Sequence, residues 1–336
     1  MSKSTVSRAL RNDPRISAKM REKIANIAEE MNYAPNAIAT HLATQRSRII
    51  GFIGSEAENT WYQENVQSLI SHIGAVGMQT MMFQVAPDGD VADVVASALE
   101  FRVAGCIVIP TVPISGAAIA AFQKFQTPIV LLNRTLPGFR TSSVLCDQVG
   151  GARALAHLLL AADHQRIALI AGPDTPTAVQ REQGFTDALT SAGKRLFGRA
   201  EGNFTFTDAY RAALDLVRKK PIPDAIFAAN DLMAFAVIDA LRSRDLDVPG
   251  DVSVVGFDNS YIGRWPGYSL TTIAQPIDHM FARAVELIIE QNADVSRPPE
   301  TILLGGRLIL RGSARIPAAL DGIEIGIEHG GPLEGV

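Results

Sequence analysis

Cysteine is nearly absent from this chain. Its two, Cys106 and Cys146, stand far apart in apolar, strand-like surroundings. No disulfide framework is expected, and both read as buried free thiols of a reducing compartment. The six histidines show neither HxxxH nor HExxH spacing, and with so few thiols no metal site is expected. A GxGxxG turn, a GxxxxGK[ST] loop and a GxSxG elbow are all missing, which takes away the common dinucleotide, nucleotide and nucleophile motifs. Catalytic residues and a cofactor are therefore not expected. No apolar run is long enough to span a bilayer, and the N-terminus lacks the apolar core of a secretion signal. The expected location is the cytoplasm, with no membrane partner.

Positive charge is concentrated at one end. Residues 1–48 carry nine Lys and Arg against four acids, a balance of +5, while the remaining 288 residues sum to −9. A small basic head on an acidic body is the charge pattern of a DNA-binding module attached to a sensor domain. An ordinary solvated basic helix gives the same count.

Local patterns divide the chain further. Residues 2–11 read as a short helix with Ser2 as its N-cap, and "NDPR" at 12–15 as a turn. Ser17 is placed to cap a second helix over 18–32, whose apolar stripe is Met20, Ile24, Ile27, Ala28 and Met31. Pro35 suits the first turn of a third helix near 36–44, too short and too poor in apolar residues to be stable alone. From Arg48 the texture changes. "RIIGFIG", "QTMMFQV", "AGCIVIP", "TPIVLLN", "RIALIAG", "DAIFAAN" and "DVSVVGFDN" are strand-length apolar runs separated by helical stretches. That alternation predicts parallel sheets buried on both faces, in two tandem units. A helix near 276–291 and a strand near 306–311 follow, and the Gly- and acid-rich tail from Pro317 reads as disordered.

Ligands of open parallel sheets bind beyond the C-terminal ends of the strands. The candidate site is therefore Ser55–Tyr62, Asn133–Arg134, Asp147, Thr175–Arg181, Asn230–Asp231 and Asp258–Asn259. Asp231 and Asp258 suit hydroxyl binding better than acid–base work. Asn230–Asp231 directly precedes a helix, so capping is an equal alternative to ligand contact.

The ordered set "SKSTVSRAL", "ISAKMREKIANIAEEMNYAPNAIATHLATQRSRIIGFI", "RIALIAGP…QREQGF", "DAIFAAND", "VPGDVSVVGFDN" and "LTTIAQP" resembles the lactose/galactose-repressor (LacI/GalR) family of bacterial transcription regulators over about residues 1–315. The resemblance implies an α/β fold. Two tandem doubly wound parallel-sheet subdomains, like those of periplasmic binding proteins, follow a small all-α helix-turn-helix head and a hinge helix. The implied boundaries are a head at 1–34, a hinge helix and linker at 35–47, a core at 48–316 and a tail at 317–336. Within the core, one subdomain takes 48–146 plus 276–304 and the other 147–275 plus 305–316. Family members begin with a further helix and a turn ending in Gly-Val-Ser, and here Met1 stands where that Val would be. The head is thus expected to lack its first helix, through a late start site or a truncation.

The resemblance also assigns roles. It places Lys3, Ser4 and Arg8 toward base edges in the major groove, where an Arg fork matches guanine. Thr5, Ser7 and Ser17 would bind phosphates, with Asn36 capping or touching the backbone and Tyr33 completing the set. Leu42, with Ala39 packed nearby, would wedge between base pairs in the minor groove. In the core, Asp258 and Arg181 are the main effector-binding candidates. Trp61, Tyr62 and Phe204 would offer aromatic faces, and Asn133, Arg134, Asp147, Asn230 and Asp231 fill out the site. Two guanidinia in one cleft make a sugar acid an option beside a neutral sugar. The expected function is a homodimeric repressor of operator DNA under control of such an effector. The alternative is a sugar-binding protein without a DNA function.

Overall fold

The computed structural model describes residues 2–10, 13–31, 33, 47–55, 61–86, 89–109, 112–218, 220–317 and 325–326. They fall into two compact units, Met1–Arg48 and Ile49–Val336.

The first unit holds helices α1 (Lys3–Leu10) and α2 (Ala18–Glu30). Ser2 caps α1, its hydroxyl accepting from the Thr5 amide at 3.2 Å. The intervening turn is pinned by Asp13, which accepts from the Arg15 amide and from its guanidinium; that pairing holds the Asp13 carboxyl well below the usual carboxylate range. Ser17 departs from the expected cap. Its carbonyl accepts from Met20 and Arg21, but its hydroxyl makes no cap hydrogen bond. Of the apolar stripe on α2 only Ile24 is buried, as is Ala9 on α1, and Met31 stays 73 % exposed, because the two turns of α1 cover no more than that. The helix expected near 36–44, with Asn36, Ala39 and Leu42, lies outside the described residues.

The second unit contains two parallel sheets. Strands β1 (Ile49–Ser55), β2 (Gln79–Val85), β3 (Gly105–Val108), β4 (Ile129–Leu132) and β5 (Ser142–Cys146) form the first, joined at its edge by β11 (Thr301–Leu304). Its order is β11-β5-β4-β3-β1-β2, all parallel. Helices α3 (Trp61–Ala75), α4 (Ala92–Glu100), α5 (Gly116–Lys124) and α10 (Ile277–Ala293) accompany it. Leu69, Ile73, Phe122, Phe281 and Ile288 from these helices pack with Phe52, Ile53, Ile107 and Leu131 in one core.

The second sheet is β7-β6-β8-β9, also parallel: Gly198–Glu201, Ile167–Ala171, Ala225–Ala228 and Ser253–Val255. Helices α6 (Gln148–Ala161) and α7 (Pro176–Ser191) bury Leu155, Leu159 and Phe185 against Phe227 and Phe257. Helices α8 (Phe206–Leu216) and α9 (Asp231–Arg242) pack with Ile170, Ile226 and Val254 on the other side. Both sheets are thus doubly wound, and in each the strand order reverses beside its first strand, which is where such folds open a ligand crevice.

The chain passes between the two layers after Cys146, after Gln275 and between Leu304 and Arg307. The strand expected near 306–311 is β12 (Arg307–Ile309), and a second strand that the sequence did not announce, β11, precedes it. β11 joins the first sheet, and β12 pairs antiparallel with β10 (Thr272–Ala274). The break falls at Gly306, where a Cβ would lie 2.8 Å from Ile273 Cγ2 and 3.1 Å from the Ala274 carbonyl. In the tail, β13 (Ile325–Gly326) pairs with β12; 318–324 and 327–336 lie outside the described residues.

Candidate functional site

The strand ends deliver the polar side chains of the second unit into one region. Asn133 follows β4 and Asp258 follows β9, both with positive φ, at 50° and 126°. A non-glycine residue holds such a backbone only where its surroundings over-determine it. For both residues those surroundings are hydrogen bonds.

Arg181, on α7, is 4 % exposed and lies 3.9 Å above the Phe257 ring. Its Nη2 donates to Asp258 Oδ1 at 3.0 Å, its Nε to Gln148 Oε1 at 2.7 Å, and its Nη1 to the Ala229 carbonyl at 2.6 Å. Gln148 Nε2 donates to Asn133 Oδ1 at 3.3 Å, Asn133 Nδ2 to Gln275 Oε1 at 2.8 Å, and Gln275 Nε2 to Asp258 Oδ1 at 2.8 Å. The five side chains close a buried ring. Burial pushes the Asp258 carboxyl upward, while Arg181 and Gln275 pull it back down. A guanidinium only donates and a carboxylate only accepts, so the two charged members fix the orientation of the three amides between them.

Other candidates lie around the ring. Asp147 caps α6, accepting from the Gly150 amide at 2.8 Å. Arg134 Nη1 donates to the Val112 carbonyl at 2.5 Å. Asn230 caps α9 through Oδ1, which accepts from Met233 at 2.9 Å, and its buried Nδ2 has no partner among the described residues. Phe204 covers Gly172 at the end of β6 so closely that a Cβ there would be 2.5 Å from the ring. Trp61 and Tyr62 begin α3, with their side chains outside the described residues. One turn on, Glu64 accepts from the Ser260 hydroxyl at 2.7 Å and the Tyr261 amide at 2.9 Å. This clasp joins a helix of the first layer to the loop after Asp258.

Asp231 stands slightly apart. It accepts from the Thr272 hydroxyl at 2.6 Å and the Ser260 amide at 2.7 Å. Burial, then the nearby Asp258 charge, push its carboxyl up to about 7. The folded protein therefore holds a proton on Asp231 that the unfolded chain releases near pH 4. This contribution to stability is full below about pH 4 and is lost as the pH rises through about 7. Asp231→Asn is expected to flatten the fall in melting temperature across that window. Parallel pH profiles for variant and parent would show that Asp231 does not titrate there.

Sequence reading missed Gln148, Gln275, Glu64, Ser260 and Thr272. Gln275 lies in "LTTIAQP" and Gln148 directly follows Asp147, but a neutral amide gives no local sign of its partners. Both cysteines are buried and free, and burial pushes the Cys146 thiol up to about 12. Among the described residues no group of His, Cys, Asp or Glu could hold a metal ion, and no helix is long and apolar enough to cross a membrane.

In the first unit, Thr5 and Arg8 lie on α1, with Arg8 exposed and Thr5 Oγ1 within 2.8 Å of Ser2 Oγ. Lys3, Ser4 and Ser7 share that helix, their side chains outside the described residues. Ser17 and Tyr33 are exposed.

Comparison with known proteins finds matches in both units. Residues 1–36 match the model for bacterial regulatory proteins of the lacI family, and residues 156–314 that for the periplasmic binding protein-like domain. The HTH-type transcriptional regulator DegA of Bacillus subtilis (strain 168) is 30% identical over 316 residues, covering 92% of this chain and 94% of its own. The crystal structure of the Lac repressor dimer bound to operator and the anti-inducer ONPF superposes with a TM-score of 0.82 at 26% identity, covering 93% of this chain and 95% of its own. A complex of the transcriptional regulator CelR with cellobiose gives 0.72, also at 26% identity, covering 94% and 96%. These relatives rule out the alternative of a plain solute-binding protein.

Proposed function

The chain belongs to the LacI/GalR family of bacterial transcriptional regulators, and on that premise we propose a cytoplasmic, non-enzymatic, homodimeric repressor whose effector is an uncharged sugar. The observation that carries the effector class is the engagement of Arg181, three of whose five N–H groups donate to Gln148, the Ala229 carbonyl and Asp258. Bidentate capture of a carboxylate needs two parallel N–H groups on one edge of a guanidinium. The Nε–Nη2 edge is already filled by Gln148 and Asp258, and the Arg181 charge is compensated within the ring. On that edge a sugar acid would have to displace a buried carboxylate, whereas sugar hydroxyls can share the donors and acceptors already in place. CelR with cellobiose is a relative of the same shape holding a neutral sugar.

The DNA-binding set is the one that the family motif implies. Lys3, Ser4 and Arg8 read bases, Thr5, Ser7, Ser17, Tyr33 and Asn36 contact the backbone, and Leu42 with Ala39 opens the minor groove. The effector sits among Trp61, Tyr62, Asn133, Arg134, Asp147, Arg181, Phe204, Asn230, Asp231 and Asp258. The head ends near residue 34, the hinge spans 35–47, and the core runs to 316. Effector binding closes the two layers of the core on each other and changes the spacing of the paired hinges, so effector and operator affinities are linked reciprocally.

The test is a thermal-shift panel of neutral pentoses, hexoses and disaccharides beside the matching uronic acids. At least one neutral sugar is expected to raise the melting temperature, because a ligand that binds only the folded state stabilises it by mass action. A shift by a uronic acid without one from its neutral counterpart would contradict the proposed effector class.

A further inference from the structure

We propose that Gln148 is a positioning residue that ties the effector pair Arg181–Asp258 to the crossover between the two layers, so that a change at that pair moves the crossover. The link to the effector rests on the function proposed above; the hydrogen-bond geometry does not.

Four observations carry it. Gln148 is 2 % exposed and is the first residue of α6, two positions after Cys146 closes β5 of the first sheet. It therefore sits where the chain passes from one layer to the other. Its two amide atoms serve different layers: Oε1 accepts from Arg181 on the second-sheet side, and Nε2 donates to Asn133 at the end of β4. Asn133 Oδ1 also accepts from the Cys146 amide at 2.7 Å, so a single oxygen grips the crossover before and after Asp147. Finally, the orientation of Gln148 is forced. Arg181 requires an acceptor, so the amide nitrogen must point to Asn133, whose Oδ1 cannot turn away without releasing Cys146. A change in the bonds of Arg181 thus reaches the Cys146–Gln148 segment through one side chain.

The two native thiols supply a test that needs no effector. Cys146 lies at the crossover and Cys106 deep within the first sheet. Their labelling by 5,5′-dithiobis(2-nitrobenzoate) in the full chain is followed separately by peptide mass spectrometry. Local opening of the crossover exposes Cys146 alone, and global unfolding exposes both. Gln148→Leu removes both bonds and is expected to speed labelling of Cys146 about tenfold, the size of one buried hydrogen bond, with the Cys106 rate unchanged. Gln148→Glu keeps the acceptor for Arg181 but turns an oxygen on Asn133 Oδ1, and should give the same selective effect. Equal acceleration at both cysteines, or none, would overturn the proposal. So would failure of both variants to fold, since Gln148 would then support the whole fold and not the crossover.

Discussion

Asp258→Ala is expected to lower the stability of the core by roughly 3–5 kcal/mol, the usual cost of removing one partner of a buried ion pair. Arg181 would keep its charge, which is permanent, at a site 4 % exposed. Gln148 and the Ala229 carbonyl would still accept from it, but neither neutralises it. Gln275 would lose its acceptor as well. Under the proposed function effector affinity should fall roughly a hundredfold or more, because the hydroxyls assigned to Asp258 would be left unpaired. The combined variant Asp258→Ala, Arg181→Leu separates the two effects. With no buried charge left unpaired it should regain most of the lost stability while binding no effector. Urea unfolding and ligand isotherms on parent, single and double variants provide the comparison. A single variant as stable as the parent would mean that the pair is not desolvated as the structure has it.

Gly184→Ala is expected to destabilise, against the ordinary sign of that substitution. In an exposed helix interior, alanine in place of glycine gains about 1 kcal/mol. At Gly184 a Cβ would lie 2.2 Å from the Val149 carbonyl oxygen and 2.8 Å from Val149 Cα. These are backbone atoms of α6, which cannot rotate aside. Overpacking of this kind costs about 1–3 kcal/mol, so the packing effect wins. Functionally, Arg181 precedes Gly184 by three residues on the same helix. Any displacement of α7 that relieves the clash carries the guanidinium away from Asp258. A fall of about tenfold in effector affinity should therefore accompany the loss of stability. Unchanged affinity in a destabilised variant would show that Arg181 is held by its hydrogen bonds alone, independently of the α6–α7 contact.

The sequence makes the middle of each sheet legible and its edges less so. β1, β6 and β8 are buried on both faces, and their runs "RIIGFIG", "RIALIAG" and "DAIFAAN" are accordingly continuous and apolar. β7 and β11 lie at sheet edges, and alternate in exposure over only four residues each, too few for a period to emerge. β5 hides its burial differently. Its Ser142 and Ser143 are inside, and the Ser142 hydroxyl accepts from Gln291 Nε2 at 2.6 Å, so a polar pair occupies core positions. The site divides along similar lines. Arg181, Asp147 and Asp258 are recognisable because a charged residue beside an apolar strand or in a known motif stands out, and Asn230 because caps have a local signature. The amides that join these residues, Gln148 and Gln275, owe their roles to partners distant in sequence. The positive φ at Asp258 is equally invisible, because an aspartate gives no sign of a conformation that glycine would announce.

The most direct measurement of the central claim is operator affinity as a function of effector concentration. A binding duplex is selected from a randomised library with the full chain, and its affinity is titrated by fluorescence anisotropy at one fixed salt concentration, since phosphate contacts make such affinities salt-dependent. The titration is repeated in the presence of the neutral sugar that gives the largest thermal shift. The account predicts a change of roughly 5–150-fold in operator affinity, the usual span of allosteric coupling, and the same factor in sugar affinity when the duplex is present. Operator affinity that is identical with and without a sugar known to occupy the core would contradict it.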